Sequence, residues 1–186
     1  MSQGGIIAMA HWRRLDRVGT DRCTLSRGDH GSIMTGQAIW QDNDATSLDY
    51  VVCCDEEWRT LSADIVGTCA DQPVALRLAR GPQGWTLNET LQPGTAHFTD
   101  IDLSFTPATN FLPLRRLTFG KAMPIQVHSA WLVPDLCQIQ RLDQTYTRLA
   151  AGAFTYASAN FTAELETHPS GFVTRYPGLW EGWVDV

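Results

Sequence analysis

Lysine is almost missing from this chain. Lys121 is the one lysine among 14 basic residues, and the rest are arginines. Charge is sparse altogether: Asp, Glu, Lys and Arg make up 18% of the sequence, against about 25% in an ordinary soluble protein. The formal net charge is −6. A chain with this balance does not grip a phosphate backbone or an anionic bilayer over a broad face. No nucleic-acid partner is expected, and only small basic spots remain.

Long apolar runs are missing too. No stretch reaches the 18 apolar residues a membrane-spanning helix needs, so no integral membrane association is expected. The first ten residues hold no basic cluster, and their apolar run is short for a signal peptide. The expected location is cytoplasmic. The five cysteines are Cys23, Cys53, Cys54, Cys69 and Cys137. Their odd number and the lack of a CxxC argue against a disulfide framework or a structural metal site. Buried thiols that behave as small hydrophobes fit better. Glycine-rich nucleotide loops, HExxH and GxSxG are all missing. The five histidines are scattered, so neither a metal nor a cofactor is expected.

What the chain does have is alternation. Apolar residues make up 44% of the 186 positions, enough for a core and too many for disorder. In residues 58–69, Leu61, Ala63, Ile65, Gly67 and Cys69 share one parity and Thr60, Ser62, Asp64 and Val66 the other. That is the period of a half-buried strand. Residues 32–40, 46–54, 74–80, 85–88, 100–106, 125–133, 144–150, 154–157, 161–166 and 172–176 read the same way. The Gly81-Pro82-Gln83-Gly84 turn joins 74–80 to 85–88, and Ala151-Gly152 joins 144–150 to 154–157. Both links are short enough for hairpins. No segment keeps a 3.6-residue period for three turns. Residues 110–117 allow a short helix, interrupted by Pro113. About ten closely spaced strands define an all-β fold with at most short helices. No linker divides the chain. We expect a lead-in over residues 1–11 and a single domain over 12–186.

Candidate chemistry is thin. Asp100 and Asp102 lie two apart and share a strand face. They suit acid/base work or the holding of ligand hydroxyls; they suit equally well ion pairs with Arg115 and Arg116. Tyr146 and Arg148 also share a face. With Tyr156, Tyr176 and Trp180 they suit a site that stacks sugar rings on aromatics, or else they complete a core. Trp131 and Trp180 are expected to be buried.

Several motifs together carry a resemblance. They are Trp12-Arg13-Arg14-Leu15-Asp16; Tyr50-Val51-Val52-Cys53-Cys54-Asp55 with Trp58-Arg59-Thr60; the block 100–117, from Asp100-Ile101-Asp102 to Leu114-Arg115-Arg116-Leu117; Ala130-Trp131-Leu132-Val133-Pro134; Gln144-Thr145-Tyr146-Thr147-Arg148-Leu149; and Tyr176-Pro177-Gly178-Leu179-Trp180. The chain resembles, from Trp12 to Trp180, a bacterial glycolipid-binding family long catalogued as a domain of unknown function. The resemblance implies one large, curved antiparallel sheet, open or half-barrel, around an apolar groove, similar to the half-barrel of bacterial lipoprotein carriers. It implies a glycolipid or similar amphiphile as partner. It supplies no catalytic residues. Its shared polar positions mark Arg59, Asp100, Asp102, Asn110, Arg115, Arg116, Tyr146 and Arg148 as ligand-binding candidates. The run 93–99 looks longer and more polar than the family pattern, so one rim of the groove is expected to differ.

The expected function is therefore non-enzymatic binding of an amphiphile, with acyl chains on the apolar sheet face. Two alternatives stand beside it: a protein-interaction or scaffold domain, and a hydrolase or isomerase using Asp100 or Asp102 as base.

Overall fold

A computed structural model describes residues 5–185. The alternation becomes one continuous 15-stranded sheet. Its strands are β1 (Ile6–Arg14), β2 (Val18–Gly28), β3 (Gly31–Gln41), β4 (Ala45–Cys54), β5 (Thr60–Cys69), β6 (Gln72–Gly81), β7 (Gly84–Leu87), β8 (Thr90–Leu91), β9 (Asp100–Leu103), β10 (Pro124–Leu132), β11 (Ile139–Ala150), β12 (Ala153–Ser158), β13 (Phe161–Thr167), β14 (Val173–Tyr176) and β15 (Trp180–Asp185). One helix, α1 (Phe111–Arg116), follows a 3₁₀ turn at Ala108–Asn110.

From β1 to β8 the chain is a meander, each strand beside the last; from β10 to β15 it is a second one. The two meanders join where β1 pairs antiparallel with β15, Trp12 opposite Gly182. At the far edge β9 pairs in parallel with β10. The sheet curls until β9 reaches β5, where Ile101 N–H donates to Thr60 Oγ1 at 3.3 Å. No strand ladder closes it, so the sheet stays open.

Both expected hairpins are present. Leu78 pairs with Leu87 across the Pro82-Gln83 turn, and Tyr146 pairs with Tyr156 across Ala151-Gly152. Four strands lay outside the alternation reading: β1, β2, the two-residue β8 and β15. β1 buries only Ala8, Ala10 and Trp12, and β2 puts Asp21 beside Cys23 and Leu25 on its inner face. Small residues and an inward carboxylate hide a period of two. β1 begins at Ile6, so strand pairing starts inside segment 1–11; residues 1–4 lie outside the described ones. Pro113 does not interrupt α1. It is the third helical residue, and a first-turn N–H has no partner within the helix.

The inner face of the sheet is largely apolar, and the chain itself fills it. Ile101, Leu103, Phe105, Ala108, Phe111 and Leu112 are all at most 4% exposed. Phe105 meets Trp40 and Tyr50 of the first meander, while Phe111 meets Trp58 and Phe172. Asn110 Nδ2 donates to Tyr146 Oη of the second meander at 2.9 Å. Residues 105–112 thus tie the two halves together from inside. Burying side chains such as Phe111 and Leu112 contributes about 1.5–3 kcal/mol each.

Close packing against glycine sets the ring positions. Tyr50 lies across from Gly36, whose absent Cβ would fall 2.2 Å from the ring. Trp12 lies across from Gly182 in the same way, at 2.4 Å. The run 93–99 packs down rather than standing free. Thr95 Oγ1 accepts Trp85 N–H at 2.8 Å, and Trp85 Nε1 donates to Phe98 O at 2.9 Å.

Candidate functional site

A cleft of about 540 Å³ opens between β9, β10 and the 104–110 segment on one side and β12, β14 and β15 on the other. Asp102 of β9 and Ser104 just after it line the cleft. Trp131 is the register partner of Asp102 in β10, so the two share a face. Tyr156, Tyr176 and Trp180 form the opposite wall.

Hydrogen bonds fix the cleft floor. Gln144 Nε2 donates to Asp102 Oδ2 at 2.7 Å and to Tyr156 Oη at 3.3 Å. Ser129 Oγ donates to Gln144 Oε1 at 2.8 Å, which sets the amide's orientation. No cation pairs with Asp102 among the described residues. Burial pushes its carboxyl up to about 6, and the Gln144 bond only partly offsets that. Ser104 Oγ is buried and has no hydrogen-bond partner among the described residues, the one side-chain polar atom in that position. Such atoms mark places where a further partner is needed.

The aromatic wall is rigid. Tyr156 packs edge-on against both Tyr146 (5.2 Å) and Tyr176 (5.7 Å). Trp180 is backed by the Arg14 guanidinium, 4.6 Å from its ring centre. The Tyr176–Trp180 motif thus supplies a tyrosine and a tryptophan to the wall, with Leu179 beside them.

The eight candidates divide among different places. Asp102 and Asn110 line the cleft. Tyr146 is fully buried behind it and holds Asn110. Asp100 is 1% exposed and accepts from Arg116 Nε at 3.2 Å, with Arg116 Nη2 completing the pair. That pair clamps α1 to β9, as the ion-pair reading of the sequence has it. Arg115 takes no part; it lies over the Trp58 ring at 5.5 Å. Arg115 and Arg148 line a separate hollow of about 610 Å³. Arg59 sits in the β4–β5 turn, paired with Asp55 at 4.0 Å and with Glu57. The eight therefore do not form one site.

Trp131 corrects an expectation, for it is half-buried at the cleft while Trp180 is 5% exposed. Side-chain alternation puts Ala130 and Leu132, beside Ile101 and Leu103 of β9, on the fully buried face, and Trp131, beside Asp102, on the cleft face. Gln144, Ser129 and Ser104 were not singled out by the sequence. Gln144 carried one signal: a polar residue on the inward parity, two positions before Tyr146. Among the described residues no cluster of three His, Cys, Asp or Glu is placed to hold a metal, and no helix is long and apolar enough to cross a membrane.

The protein is thus an open, almost wholly antiparallel sheet with one short helix and a polar, aromatic-walled cleft. The chain belongs to the family described as "Putative glycolipid-binding", which matches residues 9–182. A solved structure of a DUF1089 family protein from Pseudomonas aeruginosa has a similar fold, with a TM-score of 0.74 at 25% identity over 87% of this chain and 91% of that one. No curated protein matches the chain. The family description points to a binding role.

Proposed function

We propose that the protein binds a hydroxyl-rich, glycolipid-like amphiphile by its head group, in the cleft of Asp102. The observation that carries this reading is the pairing of an uncompensated carboxylate with the unpartnered Ser104 Oγ inside aromatic walls. A carboxylate accepts bonds from neighbouring sugar hydroxyls, and a serine hydroxyl both donates and accepts. The apolar face of a sugar ring stacks on the half-buried Trp131, with Tyr176 and Trp180 buried in the opposite wall. The apolar tail has no place on the inner sheet face, which residues 105–112 already cover. It lies instead along the cleft mouth, where Leu179 and the 36%-exposed Phe161 stand.

The raised Asp102 carboxyl supports a second reading, in which Asp102 is a general base near neutral pH. One set of measurements separates the two. Native mass spectrometry of detergent-free protein, with lipid analysis of the denatured extract, is expected to show a bound glycolipid near unit stoichiometry. Octyl β-glucoside is expected to bind wild type and to weaken about tenfold in Asp102→Asn, as loss of a charged hydrogen bond requires. Binding weakens in the same way as pH falls through about 6, where Asp102 gains its proton. Equal affinity in wild type and Asp102→Asn sinks the head-group assignment. Turnover of a glycoside that Asp102→Asn abolishes supports the base instead.

A further inference from the structure

The hollow that holds Arg115 and Arg148 lies apart from the Asp102 cleft. We infer that it binds the anionic head of an amphiphile, a phosphate or carboxylate, with the attached apolar chain against its wall. None of its 13 lining residues is acidic, in a chain whose net charge is −6. Neither Arg115 nor Arg148 has a carboxylate partner among the described residues; Arg148 reaches only Ala150 O, at 3.4 Å. Lys121, the chain's one lysine, adjoins Arg148. It bridges Arg148 along the backbone and lines a smaller hollow with it. It too lacks a carboxylate partner among the described residues. Arg13, Arg14, Arg17, Arg59, Arg116, Arg141 and Arg175 have carboxylate partners, while Arg22, Arg27, Arg77 and Arg80, like Arg115 and Arg148, have none among the described residues. What sets Arg115 and Arg148 apart is that they share one hollow with no acidic lining residue, with Lys121 bridged to Arg148 beside it. The carboxylates nearby, Glu164 and Glu166, line the adjoining hollow, and Glu166 is paired with Arg175 at 2.7 Å.

The wall of the hollow decides the rest of the ligand. Leu114, Leu117 and Phe119 are half-buried, and Phe119 packs edge-on against Phe154 at 5.1 Å. Nearby Leu149 is 42% exposed. Arginine forks bind phosphate or carboxylate oxygens in pairs, and the apolar wall beside them takes methylene groups. Inorganic phosphate satisfies only the first half of this arrangement. The site is distinct from the Asp102 cleft, with α1 between them: Asn110 before its first residue faces the cleft, and Leu114 and Arg115 in its last turn face the hollow.

The test is calorimetric titration of the full chain with mono-octyl phosphate below its micellar concentration, beside inorganic phosphate and octyl β-glucoside. Octyl phosphate is expected to bind one-to-one, about tenfold more weakly in Arg148→Gln and in Arg115→Gln, and more weakly as salt rises. Asp102→Asn leaves this binding unchanged. Should Arg115→Gln fail to fold for loss of its Trp58 contact, exposed Arg148→Gln still decides the matter. Absence of octyl phosphate binding to wild type overturns the inference. So does equal affinity in Arg148→Gln, or inorganic phosphate binding as tightly as octyl phosphate. Octyl phosphate binding without any octyl β-glucoside binding would leave this site standing while the cleft reading falls.

Discussion

Asp21 is 2% exposed on the inner face of β2, where its carboxylate accepts from Tyr50 Oη at 3.1 Å and from Thr106 Oγ1. It therefore pins the internal segment to the first meander. Burial pushes its carboxyl from 3.8 up to about 7; bonds from Thr106 and Tyr50, and the charge of Arg14, act against that. The folded chain then holds a proton on Asp21 that the unfolded chain releases above pH 4. Stability contributed by the neutral carboxyl is present in full below 3.8 and is lost as pH rises through about 7. At about 1.4 kcal/mol per pH unit, the loss totals about 4 kcal/mol, an upper figure because buried sites relax. Asp21→Asn keeps the shape and removes the ionisation. Urea denaturation followed by tryptophan fluorescence, from pH 4 to pH 8, is the assay. The variant is expected to match wild type near pH 4 and to exceed it by roughly 2–4 kcal/mol at pH 8. Taking the difference at each pH cancels the titration of other groups. A difference independent of pH refutes the argument. A variant that grows weaker with rising pH would show instead that Tyr50, Thr106 and Arg14 hold Asp21 ionised.

Two further substitutions probe the fold. Gly36→Ala places a methyl carbon 2.2 Å from the locked Tyr50 ring, and is expected to cost about 1–3 kcal/mol in denaturant midpoint by overpacking; a loss under about 0.5 kcal/mol would mean the ring is free to move. Trp131→Ala at the half-buried cleft position is expected to cost under about 2 kcal/mol, below the 3–5 typical of a core tryptophan, while weakening octyl β-glucoside. A full core-sized loss with unchanged binding would return Trp131 to the core.

The period of two in residues 58–69, 74–80 and 144–157 was enough to define an all-β chain and both hairpins, because face alternation is local. The family motifs marked where polar groups matter. They did not show which groups act together. Asp100 and Asp102 read alike in sequence, two residues apart on one strand. In the structure Asp100 is spent on Arg116, while Asp102 faces a cleft and bonds to Gln144, 42 residues away. Arg115 and Arg116 are neighbours in sequence; one stacks on Trp58 and lines a hollow, the other clamps α1.

Sequence alone thus determined most of the strands, since the alternation of side chains is a property of consecutive residues; β1, β2, β8 and β15 escaped it. It determined the shortage of positive charge and, by its motifs, the family. Only the tertiary structure decided that residues 105–112 fill the curved face, that β1 and β15 join the two meanders, and that polar residues from distant strands converge in one cleft while Arg115 and Arg148 meet in another. Each of these depends on how far the sheet twists and curls before its edges meet, and that is set by long-range packing rather than by any local run of residues.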